Sequence, residues 1–318
     1  MIALSTESRP ARAGSFKLVR APHMGMCFGV RDAIDLALDQ SAVEPVTILG
    51  DLVHNESVLA DLRSRSIQIE QQAAAVTTPA VMITAHGASQ KTINRAREHG
   101  LRVIEATCPL VHAAHRAVAR LAREGFYPVI IGKREHVEVR GMTEDLAEYE
   151  VVLTPEDIGR LPARPRFGVV AQTTQPIERV RGLVALLRRQ FPTAEVRFID
   201  TVCQPTKQRQ QAADQLSREC DVIVVIGGLQ SNNTKELAAT CGRHGARVHH
   251  VQTAADLRLE WFIGAENVGV TAGTSTPDNI IAAVEHHLEA FARRLETDEM
   301  RPRRDRPAHE PVISLEAV

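Results

Sequence analysis

The sequence predicts an α/β protein of three similar units, each a small parallel sheet flanked by helices, in a pseudo-threefold cloverleaf around a central cavity. Three observations lead there. Short apolar runs alternate with helical patterns along most of the chain. Three kinds of strand–loop–helix segment each occur three times, and one kind always places a cysteine where strand hands over to helix. Length alone, at 318 residues, favours about two domains. The recurrence, at about 80 to 95 residues, favours three units instead.

The first cysteine segment is LVRAPHMGMCFGVRDAIDLAL: an apolar strand, a loop ending in Cys27, and a helix with Val30, Ala33, Ile34, Ala37 and Leu38 on one face. VTILGDLVHNESVLADL follows, a strand, a polar loop with His54, and a helix. AVMITAHGASQKTINRA is a strand, a short polar turn with His86, and a helix. LRVIEATCPLVHAAHRAVARLA repeats the cysteine pattern around Cys108, with Val111, Ala114, Val118 and Leu121 on one face. YPVIIGKREHVEVRGMTEDL carries His136 and Glu138 in its polar loop, and RFGVVAQTTQPIERV carries Thr173 and Thr174 in its turn. The third cysteine segment, EVRFIDTVCQPTKQRQQAADQL, surrounds Cys203, and its helix is less clearly amphipathic. CDVIVVIGGLQSNNTKELAAT brings Ser231, Asn232, Asn233 and Thr234 to a helix start, and NVGVTAGTSTPDNII brings Ser275 to another. Pro109 and Pro205 lie near helix starts, where a missing N–H costs little. The expected units are residues 16–107, 108–202 and 203–292, with 1–15 and the charged, proline-bearing 293–318 as flexible termini. In open α/β units ligands collect at the carboxyl ends of strands. All nine loops lie at such ends, so three units facing one another would turn them onto one cavity.

Composition narrows the class. Hydrophobic residues make up 44% and aromatics 3%, so aliphatic packing carries the interior. A formal net charge of −1 argues against nucleic acid or a membrane surface as partner. No apolar run approaches the roughly 18 residues of a membrane span. The start of the chain lacks the apolar core of a secretory signal. The five cysteines are dispersed and form no C-x-x-C pair, which disfavours a disulfide framework, a zinc ribbon and a ferredoxin-type motif. A reducing cytoplasm is the expected compartment.

Three thiolates converging from three units can hold a metal and leave a coordination position open; singly, each would read as an ordinary buried cysteine. That suits a catalytic metal, or a four-iron cluster in which one iron has no protein ligand and acts as a Lewis acid. A helix start behind each sulfur is expected to lower its pKa. Cys220 and Cys241 fall outside the pattern and read as structural. Histidines, hydroxyls, amides and free N–H groups at helix starts form a cradle for a phosphate or diphosphate. No Walker-type glycine loop is present. Such residues also simply cap helices, and Thr276 before Pro277 reads as a cap. Glu138 in a dry cavity would rise in pKa and carry a proton, while its charged surroundings, KREHVEVRG, equally allow an exposed carboxylate. Thr173 and Thr174 are placed to orient a substrate hydroxyl. His249, His250, His286 and His287 read as solvent-facing. His112 and His115 share a helix face, but the cysteines already account for a metal.

The stretches GMCFGVRDAI, VHNESV, AHGAS, ATCPLV, HVEVRG, QTTQ, SNNT and TAGTSTPD occur in order from about residue 16 to 290, with VC before a Lys/Gln/Arg-rich helix between the last three. Through them the sequence resembles the 4-hydroxy-3-methylbut-2-enyl diphosphate reductase family, the last step of the methylerythritol phosphate route to isoprenoids. The resemblance implies a cloverleaf fold and one 4Fe–4S cluster per chain on Cys27, Cys108 and Cys203. It implies diphosphate contacts from His54, His86, His136, Ser231, Asn232, Asn233 and Ser275, with Asn232 standing where many members have a second Ser. His136 would contact the substrate, Thr173 would orient its 4-hydroxyl, and Glu138 would supply protons. The loop GKREH lacks the small, Gly-containing sequence of some members. The implied reaction is reductive dehydroxylation to isopentenyl and dimethylallyl diphosphate, with electrons from a ferredoxin or flavodoxin. The rival readings are an iron–sulfur hydro-lyase, a paralogue acting on another small phosphorylated alcohol, and a zinc or iron–sulfur module without catalysis.

Overall fold

The computed structural model describes residues 15–300. Among them, twelve strands form three four-stranded sheets, parallel throughout. One sheet holds β1 (Lys17–Arg20), β10 (Val222–Ile226), β11 (Arg247–Val251) and β12 (Asn267–Ala272), in the order β1-β12-β10-β11. A second holds β2 (Val46–Leu49), β3 (Gln68–Glu70), β4 (Ala80–Ile83) and β5 (Arg102–Glu105), ordered β3-β2-β4-β5. The third holds β6 (Tyr127–Ile131), β7 (Glu150–Val152), β8 (Arg166–Ala171) and β9 (Glu195–Phe198), ordered β7-β6-β8-β9. The central strands are buried on both faces, as β10, VIVVI, is at every position, and this is why they read as continuous apolar runs.

Each sheet has the same plan. The chain runs from one central strand to an edge, then returns on the other side of that strand. The switch points lie between β2 and β4, β6 and β8, and β10 and β12. Their carboxyl ends make the crevices where such sheets take ligands. The polar loops leave β2, β6 and β10, and the short turns leave β4, β8 and β12, so both kinds of loop flank a switch point.

The unit boundaries differ from expectation in one respect. β1 pairs with β12, Lys17 opposite Asn267 through Arg20 opposite Val270, so residues 17–20 belong to the third sheet and not to the first unit. Helix α1 (Phe28–Val43) nevertheless packs Ala33 and Ala37 on Ile48 and Met82 of the first unit. Likewise α4 (Pro109–Arg123) leaves β5 but packs Ala114 and Val118 on Ile130 and Val170 of the second unit. Helix α8 (Gln204–Glu219) leaves β9 but packs Ala213 and Leu216 on Ile223 and Val225 of the third. Every cysteine segment is a crossover from one unit to the next, so the cysteines sit at the joints. Strand periodicity cannot reveal this, because it reports burial and not the sheet in which a strand is buried.

Three of the six edge strands, β3, β7 and β11, escaped the sequence reading. They are short and half exposed, with no clean alternation. The expected flexible tail from residue 293 is corrected at its start: helix α10 (Asp278–Met300) extends into it as far as Met300, and Leu295 packs on the third core beside Phe291 and Ala292. Good helix formers with an apolar stripe outweigh the charge of this stretch. The remaining parts of the expected flexible termini, 1–14 and 301–318, lie outside the described residues.

Neighbouring units are clasped. Helix α3 (Gln90–Glu98) follows the His86 turn, and α5 (Val137–Thr143) carries Glu138. Asp145 accepts the N–H groups of Gln90 at 2.6 Å and Lys91 at 3.1 Å, while Glu144 accepts the hydroxyls of Ser89 and Thr92. Carboxylates from the second unit thus satisfy the open donors at a helix start in the first. Replacing Asp145 with Ala is expected to cost about 1 kcal/mol, read as a lower urea midpoint; an unchanged midpoint contradicts the role. Between the second and third units, Arg179 on α7 (Ile177–Gln190) grips Glu236 on α9 (Asn232–Cys241) by two bonds, 2.8 and 3.0 Å.

Candidate active site

Cys27, Cys108 and Cys203 occupy the N-cap positions of α1, α4 and α8. Each backbone N–H donates to a carbonyl in the turn beside it: Cys27 to Thr274 at 3.0 Å, Cys108 to Ala85 at 3.1 Å, Cys203 to Thr173 at 3.0 Å. The same bond recurs in all three units, and Cys27 lies within electrostatic reach of both Cys108 and Cys203. Gly29 lies against Cys108, and a Cβ at Gly29 would overlap the Cys108 Sγ. Only glycine lets the first loop come this close to the second sulfur. All five cysteines are unpaired. Cys220 and Cys241 are buried in the core of the third unit.

The thiol acidities run against expectation. Burial pushes Cys108 up, outweighing the backbone N–H groups of Leu110 and Val111. Burial pushes Cys203 up to about 11, against the opposing contacts with Thr206. Desolvation beats the helix start. As thiolates these sulfurs therefore require a cationic partner. Among the described residues no group of three His, Cys, Asp or Glu is close enough to hold a single metal ion. Three thiol donors from three units, with Gly29 letting the start of α1 approach the Cys108 sulfur, have the donor chemistry of an iron–sulfur group.

The polar loops place three histidines together. The rings of His54 and His86 stack with centroids 4.4 Å apart, and His136 meets them edge-on at 5.1 and 5.7 Å. Burial lowers all three pKa values, His136 to about 3 and His86 well below 6.5, so the rings are neutral. His136 caps α5: its Nδ1 accepts the Glu138 N–H at 3.2 Å, which leaves the ring proton on Nε2. His86 Nδ1 is buried without a partner.

Glu138 is 1% exposed, which decides between the two readings of its charged surroundings. The helix α5 turns it inward while Arg140 stays outside. Burial drives its carboxyl up to about 7, against the opposing bonds from Thr173. Thr173 donates to it twice, N–H to Oε1 at 2.6 Å and Oγ1–H to Oε2 at 3.1 Å. The half-buried Cys108 and Cys203 thiols also lie within electrostatic reach of Glu138.

The third unit closes the ring. Asn233 accepts the Thr274 N–H at 3.0 Å through Oδ1, leaving its buried Nδ2 without a partner. Ser275 Oγ donates to the His54 carbonyl at 3.4 Å, joining the third unit to the first. Ser231 caps α9 by accepting the Thr234 N–H. Asn232 Nδ2 donates to Thr174 Oγ1 at 3.2 Å, a bond between the third and second units.

Some secondary readings change. The Thr276 hydroxyl donates to the Ile226 carbonyl at 3.0 Å instead of accepting from its helix. His249 stacks on Trp261 at 4.0 Å, and His250 meets the Gly227 carbonyl at 3.0 Å, so neither faces solvent freely; both lie on the unforeseen strand β11. His286 and His287 are exposed, as expected. His112 pairs with Glu105, while His115 is wedged beside Gly87 and Gly141 and is lowered to about 4 by burial. Arg209 was missed altogether. It lies buried on α8 with its guanidinium on the Gly25 and Pro205 carbonyls. The available signal was that helix's poor amphipathicity: its inner face carries Thr206, Arg209 and Gln210 because it looks onto the site.

A family model described as LytB protein matches residues 18–289. The chain is 37% identical over 280 residues to a Geobacter sulfurreducens protein described as 4-hydroxy-3-methylbut-2-enyl diphosphate reductase, covering 86% of this chain and 98% of that one. It is 38% identical over 282 residues to an Aquifex aeolicus protein of the same description, covering 86% and 96%. A solved (E)-4-hydroxy-3-methyl-but-2-enyl diphosphate reductase, described as the terminal enzyme of the non-mevalonate pathway, superposes with a TM-score of 0.63 at 36% identity, covering 86% of this chain and 99% of that one. The Plasmodium falciparum E-1-hydroxy-2-methyl-but-2-enyl-4-diphosphate reductase superposes with a TM-score of 0.78 at 26% identity, covering 88% and 87%.

Proposed function

The chain belongs to the LytB protein family, and on that premise we propose how its residues perform the 4-hydroxy-3-methylbut-2-enyl diphosphate reductase reaction. The observation that carries the assignment of roles is the buried Glu138 carboxyl, held by Thr173 within electrostatic reach of the cysteine thiols. Cys27, Cys108 and Cys203 hold one 4Fe–4S cluster. When bound, it supplies electrons singly and an iron without a protein ligand that serves as a Lewis acid.

The protein side of the chemistry follows from the geometry. His54, His86, Ser231, Asn233 and Ser275 take the diphosphate, with His86 Nδ1 and Asn233 Nδ2 as preformed, unpaired contacts. The anion raises the histidine pKa values that burial had lowered, so binding draws protons onto the rings. His136 offers its Nε2–H to the substrate. We retain Asn232 as a member of this cradle, acting through its link to Thr174. The Thr173 hydroxyl orients the 4-hydroxyl, and Glu138, about half protonated near pH 7, gives it a proton so that it departs as water. The balance is two electrons and two protons per molecule, one proton leaving in water and one on carbon. The products are isopentenyl and dimethylallyl diphosphate.

The electrons come from a one-electron carrier of the ferredoxin or flavodoxin kind. Five unpaired thiols support a reducing, cytoplasmic setting, and no described helix is long and apolar enough to cross a membrane. The test is anaerobic: purified protein, 4-hydroxy-3-methylbut-2-enyl diphosphate and reduced viologen. Both products are expected only with the reductant present. Loss of water without any reductant would establish the hydro-lyase instead, and no turnover of this diphosphate would point to another substrate.

A further inference from the structure

Arg209 is a buried charge that the reaction above leaves unused. It is 7% exposed, and its planar fork joins the Cys27 loop to the first turn of its own helix, which Cys203 caps. Nε and Nη2 donate to the Gly25 carbonyl at 3.1 and 2.6 Å, two residues before Cys27. Nη1 donates to the Pro205 carbonyl at 2.9 Å, two residues after Cys203. These acceptors carry no formal charge. The charged groups that act on the guanidinium are Cys27, Cys203 and the like-charged Arg31; no carboxylate is among them. A guanidinium does not escape burial by losing its proton. A buried cation held only by carbonyls is costly unless an anion stands nearby, and the neighbours able to become anionic are the two thiols.

We propose that Arg209 is the fixed counter-charge of the Cys27 and Cys203 thiolates, and through them holds the reduction potential of the cluster above the value that thiolates alone would set. An electron taken from an external donor makes the cluster one unit more negative, and a fixed positive charge beside two of its ligands favours that state. The inference rests on the cluster assignment proposed above.

The test is a potentiometric titration of the cluster-loaded protein with dithionite, followed by electron paramagnetic resonance, in wild type, Arg209→Lys and Arg209→Gln. Lysine keeps the charge and loses the fork; glutamine loses both. The potential is expected to stay near wild type in Arg209→Lys and to become more negative in Arg209→Gln. Equal potentials in all three proteins overturn the inference, and so do equal shifts in both variants, because lysine keeps the charge. A wild-type protein that never loads iron and sulfide sinks the cluster assignment instead. Should Arg209→Gln fail to load, Arg209→Met takes its place in the same titration: a more negative potential than wild type supports the inference, and an unchanged potential overturns it.

Discussion

Replacing Glu138 with Gln is expected to lower turnover by about 10²-fold or more while iron content and diphosphate affinity stay near wild type. Glutamine keeps the shape and can still accept from Thr173, so what is lost is the titratable proton. The wild-type rate should bend with pH. The acid form, half populated near pH 7 because burial has raised the carboxyl to about 7, declines above that pH, and kcat falls with it. Steady-state rates between about pH 6 and 9, taken anaerobically, read the slope. Normal turnover in the variant, or an unchanged pH profile, removes Glu138 from its role. The stability effect has the opposite sense. A carboxyl raised from 4.5 to about 7 on folding stabilises the native state fully below 4.5 and loses that contribution as pH climbs to 7 and beyond. At pH 8 the wild type must bury an ionised group and the variant need not. Glu138→Gln should therefore unfold at a higher urea concentration there, trading function for stability.

Replacing Cys108 with Ser should abolish activity through loss of the cluster, seen as missing iron, missing acid-labile sulfide and a bleached visible spectrum. A hydroxyl is a far poorer ligand than a thiolate, and the site offers no fourth cysteine at a unit joint to replace it. Gly29→Ala should reach a similar end with every sulfur still present, because the new methyl overlaps the Cys108 Sγ and forces the first cysteine loop away from the second. Cys220→Ser, altering a thiol in the core of the third unit, should keep the spectrum. A fully loaded Cys108→Ser protein contradicts the ligand assignment, and a fully loaded Gly29→Ala protein contradicts the close packing of the two loops.

Much of the site was legible because its residues are tied to local features. Cys27, Cys108 and Cys203 are each marked by a strand end before and a helix after, a pattern readable within about twenty residues. His54 and Ser231 stand beside helix starts for similar reasons. Arg209 had no such mark: a basic residue in a charged helix looks like a solvated one until the helix is seen to face inward. Glu138 was ambiguous on the same ground, since its neighbours are charged but its own direction depends on α5. The bond from the Asn232 amide to Thr174 crosses between units, a contact that its motif does not contain.

The chain by itself determined the strand–helix alternation, the threefold recurrence and the three junction cysteines, because periodicity, turn chemistry and caps act over a few residues. Tertiary structure decided that β1 joins β12, that each cysteine segment bridges two units, and that burial overrules the helix start in setting thiol acidity. Those outcomes depend on which surfaces meet and on how much water is expelled where they do. Neither quantity is a property of any short stretch of sequence.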